Sequence, residues 1–145
     1  MKRIWLLLSL VALFVFPTTG LANERYLSAG LGFGGGAGGI KLAYNLPTEK
    51  INFAVEAGYG MGTNYSVTSF DLVGRVPLKN MFIGLGLGAA SYSSDAADIL
   101  GLSGIVDQGT KYGAEIFTGT EINRLQLRLG YSSAQGLMVG ALYKF

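Results

Sequence analysis

The chain has 145 residues, half of them hydrophobic, with 23 glycines, eight tyrosines and eight phenylalanines but neither cysteine nor histidine. The missing residue types exclude a disulfide framework, a thiol nucleophile and a Ser-His-acid hydrolase constellation. Eleven basic residues stand against nine acidic ones, and two of the basic ones, Lys2 and Arg3, fall in the N-terminal leader. The remainder is formally neutral and carries no basic patch suited to nucleic acid.

The leader opens Met1-Lys2-Arg3, continues through WLLLSLVALFVF at 5–16 and ends PTTGLA at 17–22. A charged start, a short apolar core and the small residues Gly20 and Ala22 form the pattern of a secretory signal peptide, with cleavage expected before Asn23. An uncleaved anchor is the alternative, but the apolar core falls short of the roughly 20 residues a spanning helix needs, and no stop-transfer segment follows. Residues 1–22 are therefore read as a signal peptide and 23–145 as one domain.

Beyond the leader no apolar run is long enough for a membrane helix, so the hydrophobic residues are spread over short alternating segments. In chain order these predict strands at 25–34, 39–44, 51–60, 66–78, 81–92, 111–121, 125–132 and 137–145. Most approach the roughly 9–11 residues of a tilted transmembrane strand. The third segment sets Ile51, Phe53, Val55, Ala57 and Tyr59 against Asn52, Ala54, Glu56 and Gly58. The seventh sets Leu125, Leu127, Leu129 and Tyr131 against Gln126, Arg128, Gly130 and Ser132. One face is lipid-like and the other small or polar, the pattern of a barrel with an apolar exterior. A lipocalin-like soluble barrel, with the faces reversed, is the alternative reading of the same period.

Connections alternate as well. NLPTEK, PLKN and Asn123-Arg124 read as short charged turns at one end. GGGAG, MGTNYS, the segment 93–108 and SAQG read as longer loops at the other. An even strand count then places both termini at the short-turn end.

The inward series predicts a lumenal network of Lys41, Arg75 and Arg128 with Glu56, Asp71 and Glu115, because charges in a narrow lumen of low dielectric must pair. A selectivity ring in a narrow passage is the alternative. Gly84, Gly86 and Gly88, with further inward glycines, either make room for Phe117, Met138 and Leu142 or line a water-filled bore. Aromatic residues near strand ends predict two interfacial girdles. Phe33, Tyr59, Tyr65, Tyr92, Tyr112 and Tyr131 fall toward the loop end, and Tyr26, Tyr44, Phe53 and Phe82 toward the turn end. Tyr26 and Phe33 differ in phase on one strand, and Tyr92 departs from the phase of Leu85 and Leu87, so a bulge or strand end is expected at each. The third loop combines Asp95, Asp98 and Asp107 with Ile99, Leu100, Leu102, Ile105 and Val106. That much apolar surface calls for burial as a plug or against the rim, for a surface partner bound through 93–108, or for lipid contact. Its aspartates lack the spacing of a calcium loop. No metal, cofactor or catalytic residue is expected.

The last segment, LMVGALYKF at 137–145, puts Leu137, Val139, Ala141, Tyr143 and Phe145 on one face and ends on the aromatic. It resembles the C-terminal assembly signal of bacterial outer-membrane barrels, and the whole remainder resembles, in size and strand count, the eight-stranded OmpA-transmembrane, OmpX and Ail type. The resemblance implies an all-β, eight-stranded antiparallel up-and-down transmembrane β-barrel in the outer membrane, with both termini periplasmic. It implies lipid partners including lipopolysaccharide, and the barrel-assembly machinery as a partner during biogenesis that reads Tyr143 and Phe145. The expected role is non-enzymatic, in envelope integrity or surface interaction. A narrow porin-like channel is the second reading and a soluble periplasmic ligand-binding barrel the third. Deacylase and palmitoyltransferase barrels of similar architecture rely on histidine, which this chain lacks.

Overall fold

The computed structural model describes residues 25–94 and 109–145; the leader at 1–22 and the bulk of the third loop, 95–108, lie outside the described residues. Eight strands follow in chain order: β1 (Tyr26–Gly34), β2 (Ala37–Pro47), β3 (Asn52–Gly62), β4 (Tyr65–Leu78), β5 (Met81–Ser93), β6 (Gly109–Ile122), β7 (Leu125–Ser132) and β8 (Gly136–Lys144). Each pairs antiparallel with its neighbours in sequence, and β1 pairs with β8 to close the barrel, leaving no sheet edge.

Several strands outrun their predicted bounds because residues read as loop continue the ladder. In GGGAG only Gly35 and Gly36 turn, with φ of 61° and 76°, the two positive values a type I′ hairpin demands. Ala37 already begins β2. In MGTNYS the turn is Thr63 and Asn64, with Asn64 at φ 66°. At the other end Lys79 and Asn123, each at φ 56°, open the turns before β5 and β7. The expected contrast between short turns and longer loops therefore rests on the third loop alone.

Pairing runs without a bulge through every described ladder, so each strand keeps a single phase from end to end. All nine charged residues within the strands (Lys41, Glu56, Asp71, Arg75, Lys111, Glu115, Glu121, Arg128 and Lys144) share the inward phase. The outward phase carries only apolar residues, glycine, serine, threonine and tyrosine. Leu31, Leu42, Leu72, Leu85, Leu87, Ile116, Leu129 and Leu137 are all more than half exposed, while Glu56, Asp71, Arg75, Glu115 and Arg128 are buried. The usual arrangement of a water-soluble domain is inverted.

The single phase corrects part of the aromatic assignment. Phe33, Tyr44, Phe53, Tyr59, Tyr112 and Tyr131 take the outward phase with Tyr143 and Phe145. Tyr26, Tyr65, Tyr92 and Phe82 do not; each lies on the inward phase of its strand and closes an end of the lumen instead of facing outward. No bulge is present to turn Tyr26 or Tyr92 around, and the interior offers the three tyrosine hydroxyls hydrogen-bond partners.

Candidate functional site in the barrel lumen

All six predicted lumen charges point inward, and the structure pairs most of them. From β7, Arg128 reaches across the lumen to β3 and donates two hydrogen bonds to Glu56, from Nη1 to Oε2 at 2.7 Å and from Nη2 to Oε1 at 2.6 Å. Lys41 on β2 lies 2.9 Å from the same carboxylate and 3.5 Å from Asp71 on β4. Four side chains from four strands thus form one knot. A bidentate guanidinium-carboxylate pair is the strongest form of such a contact, and here Glu56 is wholly buried. The Arg128 guanidinium also covers the Phe117 ring at 4.5 Å.

Two predicted members stand apart. Arg75 meets no carboxylate among the described residues; it donates to Asn45 Oδ1 and to the Tyr26 hydroxyl, and lies 5.7 Å from the Phe82 ring centroid. Glu115 is buried with Oε1 lacking a hydrogen-bond partner among the described residues. The sequence reading missed Asn45, whose Nδ2 donates to Ser28 Oγ at 2.9 Å, and Gln126, whose Oε1 accepts from Arg128 at 3.3 Å. Their signal was phase: Asn45 follows Lys41 and Ala43 on β2, and Gln126 precedes Arg128 on β7.

Apolar layers bracket the knot. Toward the turn end, Ala54, Val73, Phe82 and Phe117 form a buried cluster in which the two rings meet edge to face at 6.1 Å. Toward the loop end, Ala37, Val67 and Ala90 pack beneath Tyr65 and Tyr92. Tyr65 donates its hydroxyl to the Gly35 carbonyl, and Tyr92 donates to Ala134 at 2.9 Å, tying both rings to the rim. A cavity of about 60 Å³ borders Lys41 and Arg128, lined by Gly32, Gly39, Gly58 and Gly60, and extends to Gly34, Ala37 and Gln135 at the loop end. That volume has room for a few waters beside the charged knot.

Inward glycines divide into two kinds. A methyl group on Gly84 would come within 2.2 Å of the Phe117 ring, and one on Gly130 within 2.5 Å of its Cβ. Phe117 cannot retreat, being held between these glycines, beside Phe82 and under Arg128. At Gly32 the nearest atom to such a methyl is Lys41 Cβ at 4.0 Å. Gly84→Ala should therefore lower unfolding stability by about 1–3 kcal/mol through overpacking. Gly32→Ala should be neutral or slightly stabilising, since alanine loses less backbone entropy. Urea titration of both variants refolded in lipid vesicles checks this; equal tolerance at the two positions would mean that the interior is not close-packed.

Compared with protein-family models, curated proteins and solved structures, the chain matches none of them.

Proposed function

We propose that this protein is an integral outer-membrane β-barrel with a non-enzymatic, structural role in the envelope, its lumen a packed strut and not a conduit. One observation carries the membrane reading: no strand places a charged side chain on its outward phase, while nine charged residues face inward. An apolar belt running round all eight strands exceeds by far the roughly 300–600 Å² patch found on soluble monomers. In lipid such a belt is the solvated surface, and the closed ladder satisfies the backbone groups along its paired registers without water.

The strut reading rests on what fills the lumen. Phe82 and Phe117 on one side and Tyr65 and Tyr92 on the other bracket the charged knot with apolar and aromatic side chains. Under this assignment the end where β1 begins and β8 finishes faces the periplasm. Tyr143 and Phe145, whose rings meet at 5.3 Å on the outward phase, are offered together to the assembly machinery. Lipopolysaccharide is the lipid partner at the opposite rim, and a surface partner bound through 93–108 is a further route to envelope interaction.

The protein is expected to fractionate with outer membranes, to migrate differently on a denaturing gel when unheated, and to give no discrete conductance steps in planar bilayers. Recovery as a soluble periplasmic species would overturn the membrane reading. Reproducible single-channel steps from purified protein would replace the strut with the narrow channel.

A further inference from the structure

The ring of strands leaves no edge along its paired length, but its rim at the loop end is stepped. β6 pairs with β5 from Gly109, opposite Tyr92, whereas its ladder with β7 begins only at Glu115, opposite Ser132, where β7 ends. Residues 109–114 thus rise past β7 by roughly 20 Å of strand. At the foot of the step the turn after β7 supplies a cap: the Ser133 N–H donates to the Ala114 carbonyl and the Ala114 N–H to Ser133 Oγ, both at 3.0 Å. Those two bonds fix the phase, because successive residues of a strand aim their backbone groups at opposite neighbours. Thr110 and Tyr112, in phase with Ala114, aim theirs at the β7 side, where no strand lies opposite them among the described residues. Both are exposed, Tyr112 by 82 %.

Natural proteins guard such an edge with proline, a bulge or a charge laid across it. Here residues 109–114 contain no proline, the ladder with β5 is unbroken, and the one charged side chain, Lys111, reaches over the Tyr92 ring of β5, away from the edge. We propose that the β6 edge accepts an extended peptide segment of a soluble partner outside the cell, which adds to the sheet as a further strand. The inference rests on the outer-membrane reading, which puts the loop end on the outer side. Recognition is by main chain: the N–H and C=O groups of Thr110 and Tyr112 repeat at the spacing of another strand's groups, and a lipid head group offers no such row. The edge also stands clear of the hydrocarbon, since the outward face passes from Ile116 and Ala114 up to Thr110, in a row with Ser91 and Thr68. A second copy cannot fill it. Copies sharing one membrane would cross their β6 strands at about twice the tilt of roughly 35–45°, too steep for a common ladder.

The test uses one barrel per neutral-lipid nanodisc, titrated with a soluble peptide of alternating valine and threonine flanked by lysines. The control is the same peptide N-methylated throughout, which keeps every side chain but removes the main-chain donors. The first peptide should bind saturably and slow hydrogen exchange at the Thr110 and Tyr112 amides; the methylated one should do neither. Tyr112→Pro removes a donor at the edge but none of the bonds to β5, since that N–H faces the other way, and should weaken binding at least about tenfold. Tyr112→Thr keeps the main chain and should stay within about threefold of the parent. Unchanged heat-modifiable migration confirms the fold of both, and the methylated control needs no variant. Absence of saturable binding overturns the inference, as does equal binding of the methylated peptide or of Tyr112→Pro. An equal loss in Tyr112→Pro and Tyr112→Thr would make the ring the contact and overturns it as well. So does slow exchange of both amides before peptide is added, which would show the edge already paired. Because the titration starts from folded barrel in lipid, each of these results leaves the membrane reading intact. Recovery of a soluble protein would overturn that reading, while the edge, a property of the sheet, remains open to the same titration.

Discussion

Arg128→Ala should destabilise the barrel by about 3–5 kcal/mol, the cost of leaving a buried partner charge uncompensated. Glu56 accepts both of the Arg128 hydrogen bonds and is wholly buried, so no water can replace the guanidinium without entering the lumen. Lys41 would remain as the one cation of the knot, shared between Glu56 and Asp71, with Glu115 nearby on β6. The variant also uncovers one face of Phe117 and leaves a void where the guanidinium lay. Replacing Arg128 and Glu56 together by methionine should recover much of the loss, because removing both charges removes the desolvation cost along with the attraction. Arg75→Ala should cost less than Arg128→Ala, since its partners are the neutral Asn45 and Tyr26. Urea-induced unfolding in vesicles, monitored by tyrosine fluorescence and gel mobility, measures all three. A loss below about 1 kcal/mol for Arg128→Ala, the range of solvent-exposed pairs, would mean that water fills the lumen and would revive the channel.

Much of the fold was legible because a barrel wall has only two faces and charge marks one of them. Glu56 on β3 and Arg128 on β7 each sit within an unbroken period of two, so strand number, phase and the six lumen charges could be read along the chain. The ends of strands were less legible. Glycine signals a turn wherever it occurs, and nothing local distinguishes Gly35 and Gly36, which turn, from Gly38 and Gly39, which pair with Phe33 and Gly32. Aromatic residues misled for a related reason: a tyrosine near a strand end suits an interface, but it suits a lumen mouth equally well when a carbonyl is within reach. Tyr92 and Phe82 share the phase of Gly84, Gly86 and Gly88, and Tyr65 shares that of Asp71 and Arg75. Had phase been ranked above residue type, all of these would have been placed inside. The pairing of Arg128 with Glu56 was beyond reach, because contacts across the lumen depend on barrel stagger, which no local pattern encodes.

Leu87→Arg should destabilise the folded protein in lipid by about 2–4 kcal/mol, whereas Ser91→Arg, on the same face of the same strand, should cost about 0–1 kcal/mol. The two positions are separated by four residues, about 13 Å along β5 at the rise of a strand. Leu87 is 69 % exposed on the outward face, and its ladder partners there are Leu72 and Ala114, with Val55 one strand further on. An arginine in that setting finds no polar neighbour and, at mid-height, no interface within easy reach of its side chain. Ser91 lies in a hydroxyl-bearing row with Thr68 and Thr110, close to the third loop, and Thr110 already approaches its Oγ at 3.4 Å. A guanidinium there reaches head groups and water. Were the barrel soluble, the difference would vanish, because Leu87→Arg, like Ser91→Arg, would place a solvated charge on an exposed face at little or no cost. Equilibrium unfolding of both variants in vesicles of one composition decides the matter. Similar costs at the two positions, or a neutral Leu87→Arg, would show that the apolar belt does not face lipid.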